Sequence, residues 1–201
     1  MTSTTNVRIG HCSPDAPAVD IHIDGKPVLH GVDFGTVTEY IEVPSGEHSI
    51  NVVPAGKPDQ SVIEKSLDLT DDHDYTVLAI GSLADIDTLV LNDTNEAVSG
   101  DNARIRFVHA SPDAPEVDLA FDGDAVFREV PFGRASPYGP VTAGTYDLSI
   151  RPAGESESVI DVPGAQLERG STYTAFAIGT LADDAVDVLV TKDSQPAAKV
   201  A

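Results

Sequence analysis

The sequence predicts an all-β protein built of two tandem immunoglobulin-like Greek-key β-sandwich domains, with about seven strands in each. Three observations support this fold class. The segment RIGHCSPDAPAVDIHIDG at residues 8–25 returns as RFVHASPDAPEVDLAFDG at residues 106–123, so that Ser13 aligns with Ser111, 98 positions further on. Helical periodicity is absent, and turn residues recur every 8–12 positions or so, as in a sandwich or barrel.

The repeat defines the domain organisation. The offset of 98 is taken to hold without a gap along the whole repeat, and Leu83-Ala84-Asp85 near its end aligns with Leu181-Ala182-Asp183. A polar, glycine-containing string, NDTNEAVSGDNA, lies at 92–103 between the copies. We therefore predict one domain at 1–95, a linker at 96–103 and a second domain at 104–201.

Alternation of apolar and polar residues predicts the strands in order. Val7, Ile9 and His11 alternate with polar or small residues, which indicates a first strand with one buried face. A second strand is predicted at 19–23, and Asp24-Gly25 after it is a hairpin signal. The remaining strands are predicted at 36–43, 48–53, 61–69, 75–80 and 88–92.

Two local signals refine this arrangement. Pro137 and Pro140 interrupt the second-copy equivalent of the strand at 36–43, and proline removes a ladder donor. We therefore expect this strand at a sheet edge in both copies. Tyr75 and Tyr173 each begin a strand after a leucine and a turn, the position of a tyrosine corner whose hydroxyl bonds upstream backbone.

The charge excludes several partners and suggests a habitat. The chain has 33 acidic and 12 basic residues, a formal net charge of −21. Such a surface repels nucleic-acid backbones and anionic membranes, so neither is expected as a partner. The acids include 23 Asp whereas the cations include 5 Lys. This balance suits molar salt, where the Debye length falls to about 3 Å, and it predicts a halophile's protein.

The sequence predicts neither a signal peptide nor membrane insertion. The start MTSTTNVRIG has no basic segment followed by an apolar one. Nothing approaches the ~18 apolar residues of a membrane-spanning helix. We expect a protein in aqueous solution, of unknown compartment.

His11 and His109 are the histidines that the repeat keeps in both copies, and Asp15 and Asp113 lie four residues after them. A His near an Asp can be a base with its orienting partner, or half of a metal site. Each His, however, shares its predicted face with apolar residues. The structural alternative is a buried His whose ring nitrogen bonds the backbone of the Ser-Pro-Asp-Ala-Pro segment and holds that loop.

Four further residues are candidate contacts for a ligand or partner. Asp20 and Asp118 follow the Ser-Pro-Asp-Ala-Pro segment and leave room for cation binding at acidic loops. Tyr40 and Tyr138 are candidate contacts for a small ligand in a groove between the domains. No P-loop, dinucleotide fingerprint or zinc pattern occurs, so neither a cofactor nor a metal centre is predicted.

The strings HCSPDAPAVDIHIDG and HASPDAPEVDLAFDG, with the later Pro-Ala-Gly and Ala-Ile-Gly strings, resemble the family called domain of unknown function 4397. The resemblance extends over nearly the whole chain as two copies. Members that this chain resembles are bacterial and haloarchaeal and are often exported or attached to the cell envelope. The resemblance therefore implies an envelope or extracellular location and carries no established activity.

The leading functional hypothesis is a non-catalytic tandem β-sandwich that acts as an interaction or structural module. Its partner would be another protein or further copies of itself, as in a cell-surface layer, a filament or a virion. The first alternative is a metal-dependent hydrolase that uses His11 with Asp15, or His109 with Asp113. The second is a small-ligand or carbohydrate binder at the interdomain groove.

Overall fold

The computed structural model describes residues 3–94 and 96–193. The chain divides into two compact units, residues 1–94 and 95–201. Among the described residues, nearly all regular structure is β-strand, apart from one short 3-10 helix at Leu83–Asp85. Within the described residues there is no helix long and apolar enough to cross a membrane.

The strands of the two units correspond one to one. In unit 1 they are β1 Thr4–His11, β2 Val19–Ile23, β3 Lys26–Val32, β4 Thr36–Val37, β5 Ile41–Pro44, β6 Gly46–Pro54, β7 Ile63–Leu69, β8 Asp74–Ile80 and β9 Asp87–Asp93. In unit 2 they are β10 Asn102–His109, β11 Val117–Phe121, β12 Asp124–Val130, β13 Arg134–Ala135, β14 Gly139–Thr142, β15 Gly144–Pro152, β16 Ile160–Leu167, β17 Thr172–Ile178 and β18 Asp187–Lys192.

Each unit is a sandwich of two sheets. In unit 1 one sheet has the order β4-β1-β8-β9, with β5 also paired to β1, and the other has the order β3-β2-β6-β7. β1 runs parallel to β8, and the other pairs are antiparallel. Unit 2 repeats this order with β10–β18. The predicted all-β class with two sandwich domains is confirmed, and the strand order differs from the immunoglobulin constant domain, where the first strand pairs with the second.

Both sandwiches enclose an apolar core. The fully or nearly buried side chains in the core of unit 1 include Val7, Ile9, Val19, Ile21, Ile50, Val52, Leu69 and Val77. Unit 2 uses the matching positions, with Phe107 where unit 1 has Ile9. β8 and β17 are buried at every position, so the parallel strand pair is central to each unit.

The structure corrects two details of the predicted strands. The strand expected at 36–43 is split into β4 and β5, because Thr38 between them bonds Ile9 through both its backbone N–H and its hydroxyl. Both pieces pair with β1 at the edge of the sheet, as predicted for an edge strand. The sequence analysis also missed β3 and β12, the hairpin partners of β2 and β11, whose residues are mostly exposed.

The tyrosine corner is present in both units. The hydroxyl of Tyr75 accepts the backbone N–H of Thr70 at 3.2 Å, and the hydroxyl of Tyr173 accepts that of Glu168 at 2.9 Å. Each bond ties the start of the central strand to the turn that precedes it. The predicted bonds between these tyrosine hydroxyls and upstream backbone are confirmed.

Candidate functional site

The repeated histidines lie inside their units. His11 and His109 have no solvent-exposed surface. Nε2 of His11 lies 3.0 Å from the carbonyl oxygen of Pro17, and Nδ1 accepts the backbone N–H of Ser13 at 3.4 Å. His109 makes the same two contacts, at 2.9 Å to Pro115 and 3.3 Å to Ser111. The predicted bond to the backbone of the Ser-Pro-Asp-Ala-Pro segment is therefore present in both copies.

This geometry defines the protonation state of the rings. A carbonyl oxygen only accepts, so Nε2 carries the proton, and Nδ1 accepts from a backbone amide and is unprotonated. Burial lowers the pKa of His109 below its ordinary value, and this outweighs the Pro115 and Ala114 backbone contacts that raise it. Phe132 stands edge-on to His109 with ring centroids 6.1 Å apart, as Phe34 does to His11 at 6.3 Å.

Asp15 and Asp113 face a different loop from the histidines. Asp15 accepts the backbone N–H of Leu83 at 2.7 Å, just after β8. Asp113 accepts those of Leu181 and Ala182 at 2.9 and 2.8 Å. Burial by itself would raise the pKa of Asp113. The hydrogen bonds from these N–H groups have the larger combined effect, so the pKa lies below its ordinary value. The two carboxylates therefore tie the Ser-Pro-Asp-Ala-Pro segment to the loop after the central strand.

Asp20 and Asp118 hold a hairpin in the opposite sheet. The two oxygens of Asp20 accept the N–H groups of Gly31 and Gly56, at 2.8 and 3.1 Å. These two bonds lower its pKa, the Gly31 bond most. Asp118 repeats the arrangement with Glu129 at 2.7 Å and Gly154 at 3.2 Å. Both carboxylates thus join the β2–β3 or β11–β12 hairpin to the turn after β6 or β15.

Tyr40 belongs to a buried polar cluster. Its hydroxyl donates to Oδ2 of Asp93 at 2.6 Å, and its ring lies 4.8 Å from the guanidinium carbon of Arg8. Nε of Arg8 donates to the hydroxyl of Thr76 at 2.7 Å, and that hydroxyl donates to the same Asp93 oxygen. Arg8 and Asp93 form an ion pair at 3.8 Å, with both side chains almost completely buried.

Unit 2 repeats the cluster around Tyr138. The Tyr138 hydroxyl bonds Asp193 at 2.7 Å, and Arg106 stacks on the tyrosine ring at 4.6 Å. Nε of Arg106 donates to the Thr174 hydroxyl at 3.0 Å. Both tyrosines are therefore engaged by buried charged groups of their own unit.

The predicted gapless repeat is wrong near its end, and this error concealed the clusters. Arg8, Tyr40 and Thr76 align with their partners at the offset of 98, but Asp93 matches Asp193 at an offset of 100. The structure places the extra two residues in the loop before β18, since Ile80 pairs with Asp87 and Ile178 with Asp187. Realigning the copies after Asp183 would have revealed the repeated aspartate.

The predicted catalytic or metal-binding pair does not come together. His11 bonds Pro17 and Ser13, whereas Asp15 bonds Leu83, and unit 2 repeats this division. Within the described residues, no three His, Cys, Asp or Glu side chains are grouped closely enough to hold a metal ion. Instead, these His and Asp side chains form backbone hydrogen bonds that hold the Ser-Pro-Asp-Ala-Pro segment and the loop after the central strand in each unit.

Cys12 is a small buried residue. It is fully buried, and its position in unit 2 is occupied by Ala110, also fully buried. Burial raises the pKa of the Cys12 thiol to about 12. The thiol is therefore protonated and unreactive at neutral pH.

The repeat also keeps two exposed apolar positions in each unit. Val28 and Val126 lie on the edge strands β3 and β12, with 39% and 47% of their surface exposed. Phe34 and Phe132, both 38% exposed, follow these strands. In unit 2 a surface groove of about 290 Å³ runs from β12 to Pro137. Exposed apolar residues at an edge strand are typical of a contact surface.

Taken together, the duplicated sandwich and its repeated loop-holding His and Asp residues define a tandem β-sandwich protein. The chain belongs to the family described as domain of unknown function (DUF4397), which matches residues 5–120 and 109–200. This confirms the family resemblance found in the sequence. None of the curated proteins matches the chain.

Three solved structures match this chain at low similarity. The C-terminal domain of AlgF from P. aeruginosa is 14% identical, covers 47% of this chain and 100% of that domain, and has a TM-score of 0.34. The family 26 carbohydrate-binding module of Eubacterium rectale Amy13K, solved with maltoheptaose, is 10% identical over 96% and 98% of the two chains, with a TM-score of 0.28. A streptococcal virulence factor, described as binding alpha-glucan, is 11% identical over 92% and 95%, with a TM-score of 0.28.

Proposed function

We propose that this protein is a non-catalytic binding or structural module, which contacts other proteins through the edges of its two sandwiches. The observation that carries the proposal is the fate of the repeated histidines. Both rings are completely buried, with one nitrogen bonded to a backbone carbonyl and the other to a backbone amide in each unit. A general base or metal ligand needs a nitrogen that reaches a substrate or an ion.

The exposed apolar residues support contact at the sheet edges. Each unit exposes one valine on its edge strand and one phenylalanine in the loop that follows, although burying them would have favoured stability. These residues are Val28 and Phe34 in unit 1, and Val126 and Phe132 in unit 2. β3 and β12 are the outermost strands of their sheets. An outermost strand offers backbone N–H and C=O groups to an incoming segment, while side chains such as Val126 supply selectivity.

The charge supports a halophilic setting for this module. A net charge of −21 on 201 residues repels other copies and other acidic proteins in dilute buffer. Molar salt screens that repulsion and strengthens the burial of apolar surface. The charge therefore supports a salt-rich setting, and the family resemblance suggests an assembly at the cell envelope, such as a surface layer, a filament or a virion.

The experiment that tests the proposal compares binding with catalysis. Immobilised protein is incubated with a native extract in molar KCl, in parallel with Val28→Asp/Val126→Asp and with the control Leu83→Asp, which alters an exposed apolar residue outside the edge strands. We expect partners that the wild type and the control retain and the double variant loses. Equal capture by all three proteins would contradict contact through these edges.

The catalytic alternative is tested on the same preparation. Protein purified without chelator is analysed for bound metals and assayed on chromogenic ester and phosphate substrates. Hydrolysis that His11→Gln/His109→Gln abolishes, while both variant units keep their thermal transitions, would overturn the non-catalytic proposal. Stoichiometric zinc or manganese that the same variant fails to retain would do so as well.

A further inference from the structure

We propose that a groove on unit 2 binds the acidic face of unit 1 in a second copy of the chain, so that copies join head to tail. This inference rests on the proposed binding function and names its partner. The arginine groove is defined by Val126, Arg128, Glu129, Pro131, Arg134 and Pro137. The acidic face is defined by Glu47, Ser66, Leu67 and Asp68.

Two arginines line the groove, Arg128 and Arg134. The guanidinium groups of Arg128 and Arg134 make no ion pair or side-chain hydrogen bond to any described residue, and both residues are exposed. They are two of the seven arginines in a chain with 33 acidic residues. Two unpaired guanidinium groups in one groove match the bidentate geometry of carboxylates.

Comparison of the units shows that this charge is particular to unit 2. The positions of Arg128 and Arg134 in unit 1 are occupied by His30 and Thr36. His30 faces Asp20 at 3.5 Å. The two units thus share the exposed valine at this edge but differ in the groups that would select a partner.

Glu129 also lines the groove, and its backbone conformation is strained. Its φ is +52°, in the left-handed region that strains residues other than glycine, asparagine and aspartate. Unit 1 has Gly31 at this position, with φ of +62°. A glutamate in a position suited to glycine favours stability less than the glycine would, and such outliers cluster at binding sites.

The acidic face shows a matching departure from the repeat. Glu47 on β6 lies directly opposite Asp68 on β7, and like charges at directly opposed positions are destabilising. At the same place in unit 2 Thr145 lies opposite Gln166, a neutral pair. Each unit therefore carries one charged surface that the other lacks, and the two surfaces have opposite sign.

The contact would join different surfaces and would leave one of each free. Contacts of this kind build open chains unless the rotation between copies closes a ring. The apolar groove residues Val126, Pro131 and Pro137 would exclude water around the ion pairs, which keeps the pairs effective in molar salt. The observations thus favour a second copy of this chain as the occupant of the groove, as in a filament or layer, over an unrelated protein.

Charge reversal tests the proposal directly. Sedimentation velocity in molar KCl measures association of the wild type, of Arg128→Glu/Arg134→Glu and of Glu47→Lys/Asp68→Lys over increasing protein concentration. We expect the wild type to associate. The dissociation constant of each double variant should be at least about tenfold higher than that of the wild type. Mixing the two variants should restore association, because each then supplies the charge that the other has lost.

The chain supplies matched controls for both changes. His30→Glu/Thr36→Glu alters the equivalent groove of unit 1, and Thr145→Lys/Gln166→Lys alters the equivalent face of unit 2. Both controls should associate as the wild type does. A wild type that stays monomeric, or variants whose mixture stays monomeric, would overturn this inference. Partner capture lost in Val28→Asp/Val126→Asp would then still support the proposed function.

Discussion

The backbone N–H of Glu129 donates to Oδ1 of Asp118 at 2.7 Å, and this bond holds Glu129 at a φ of +52°. The second oxygen of Asp118 accepts the N–H of Gly154 at 3.2 Å. One nearly buried carboxylate thus fixes a strained edge-strand residue and the turn after β15.

Replacement of Asp118 should destabilise unit 2. Asp118→Ala leaves two backbone N–H groups without their acceptor, so we expect a loss of about 2 kcal/mol in the free energy of unfolding. Urea unfolding followed by circular dichroism measures it. Asp20→Ala in unit 1 should cost less, because the side chain of Asp20 is 14% exposed whereas Asp118 is nearly buried. Equal losses at the two positions would contradict the role of burial.

Replacement of Glu129 by glycine should have the opposite sign. Glycine adopts the required φ without strain, so Glu129→Gly should raise the unfolding free energy of unit 2 by about 0.5–1 kcal/mol. The reverse change in unit 1, Gly31→Glu, should lower stability by a similar amount. Thermal unfolding of both variants measures the effect, and a destabilised Glu129→Gly would show that the side chain supports the fold itself.

Gly179 should tolerate no side chain. Its φ is +87°, and a Cβ at this position would collide with the backbone carbonyl of Ala185. Gly179→Ala should therefore cost about 3 kcal/mol or more, because a backbone atom has to move. Gly154→Ala is the matched control, since Gly154 has a φ of +78° but open space around it, and about 1 kcal/mol is expected there. Similar losses for both variants in urea unfolding would contradict the predicted collision.

The buried ring of His109 should make unit 2 less stable in mild acid. Burial lowers its pKa below the ordinary value of 6.5. Just below that pH the ring is therefore protonated in the unfolded chain but not in the folded unit. Stability from this group is complete above the ordinary value and is lost as the pH falls below it. Calorimetry between about pH 7 and pH 5 should show a shallower decline for His109→Gln than for the wild type.

Salt should stabilise the whole chain. A net charge of −21 opposes the compact state in dilute buffer, and molar KCl removes most of this repulsion. We expect the thermal transitions to rise markedly between dilute buffer and molar KCl. Equal transition temperatures in the two conditions would remove the halophilic interpretation. Potassium chloride and sodium chloride should act alike, since the effect is screening.

The sequence predicted those features that local chemistry determines. The all-β class, the tyrosine corners at Tyr75 and Tyr173 and the histidine bonds to the Ser-Pro-Asp-Ala-Pro segment each depend on residues close in sequence or on alternation. The repeat then transferred each prediction from one unit to the other. Features with a short sequence signal were therefore found.

Other features depend on tertiary contacts that the sequence does not display. β3 and β12 have exposed, irregular patterns, since only hairpin pairing with β2 and β11 keeps them extended. The break at Thr38 follows from a side-chain bond to Ile9 on another strand. The shared role of Asp93 and Asp193 was not predicted, because two inserted residues conceal the equivalence of their positions.

The parallel pairing of β1 with β8 has a consequence for biosynthesis. Arg8 and Thr76 meet across 68 residues, and Arg106 and Thr174 across the same span. Such distant pairing slows folding, and it delays closure of each sandwich until most of that copy has been made. During this interval the first strand of one copy competes for the central strand of its twin. Strand exchange between the halves is therefore the characteristic misfolding hazard of this duplicated chain.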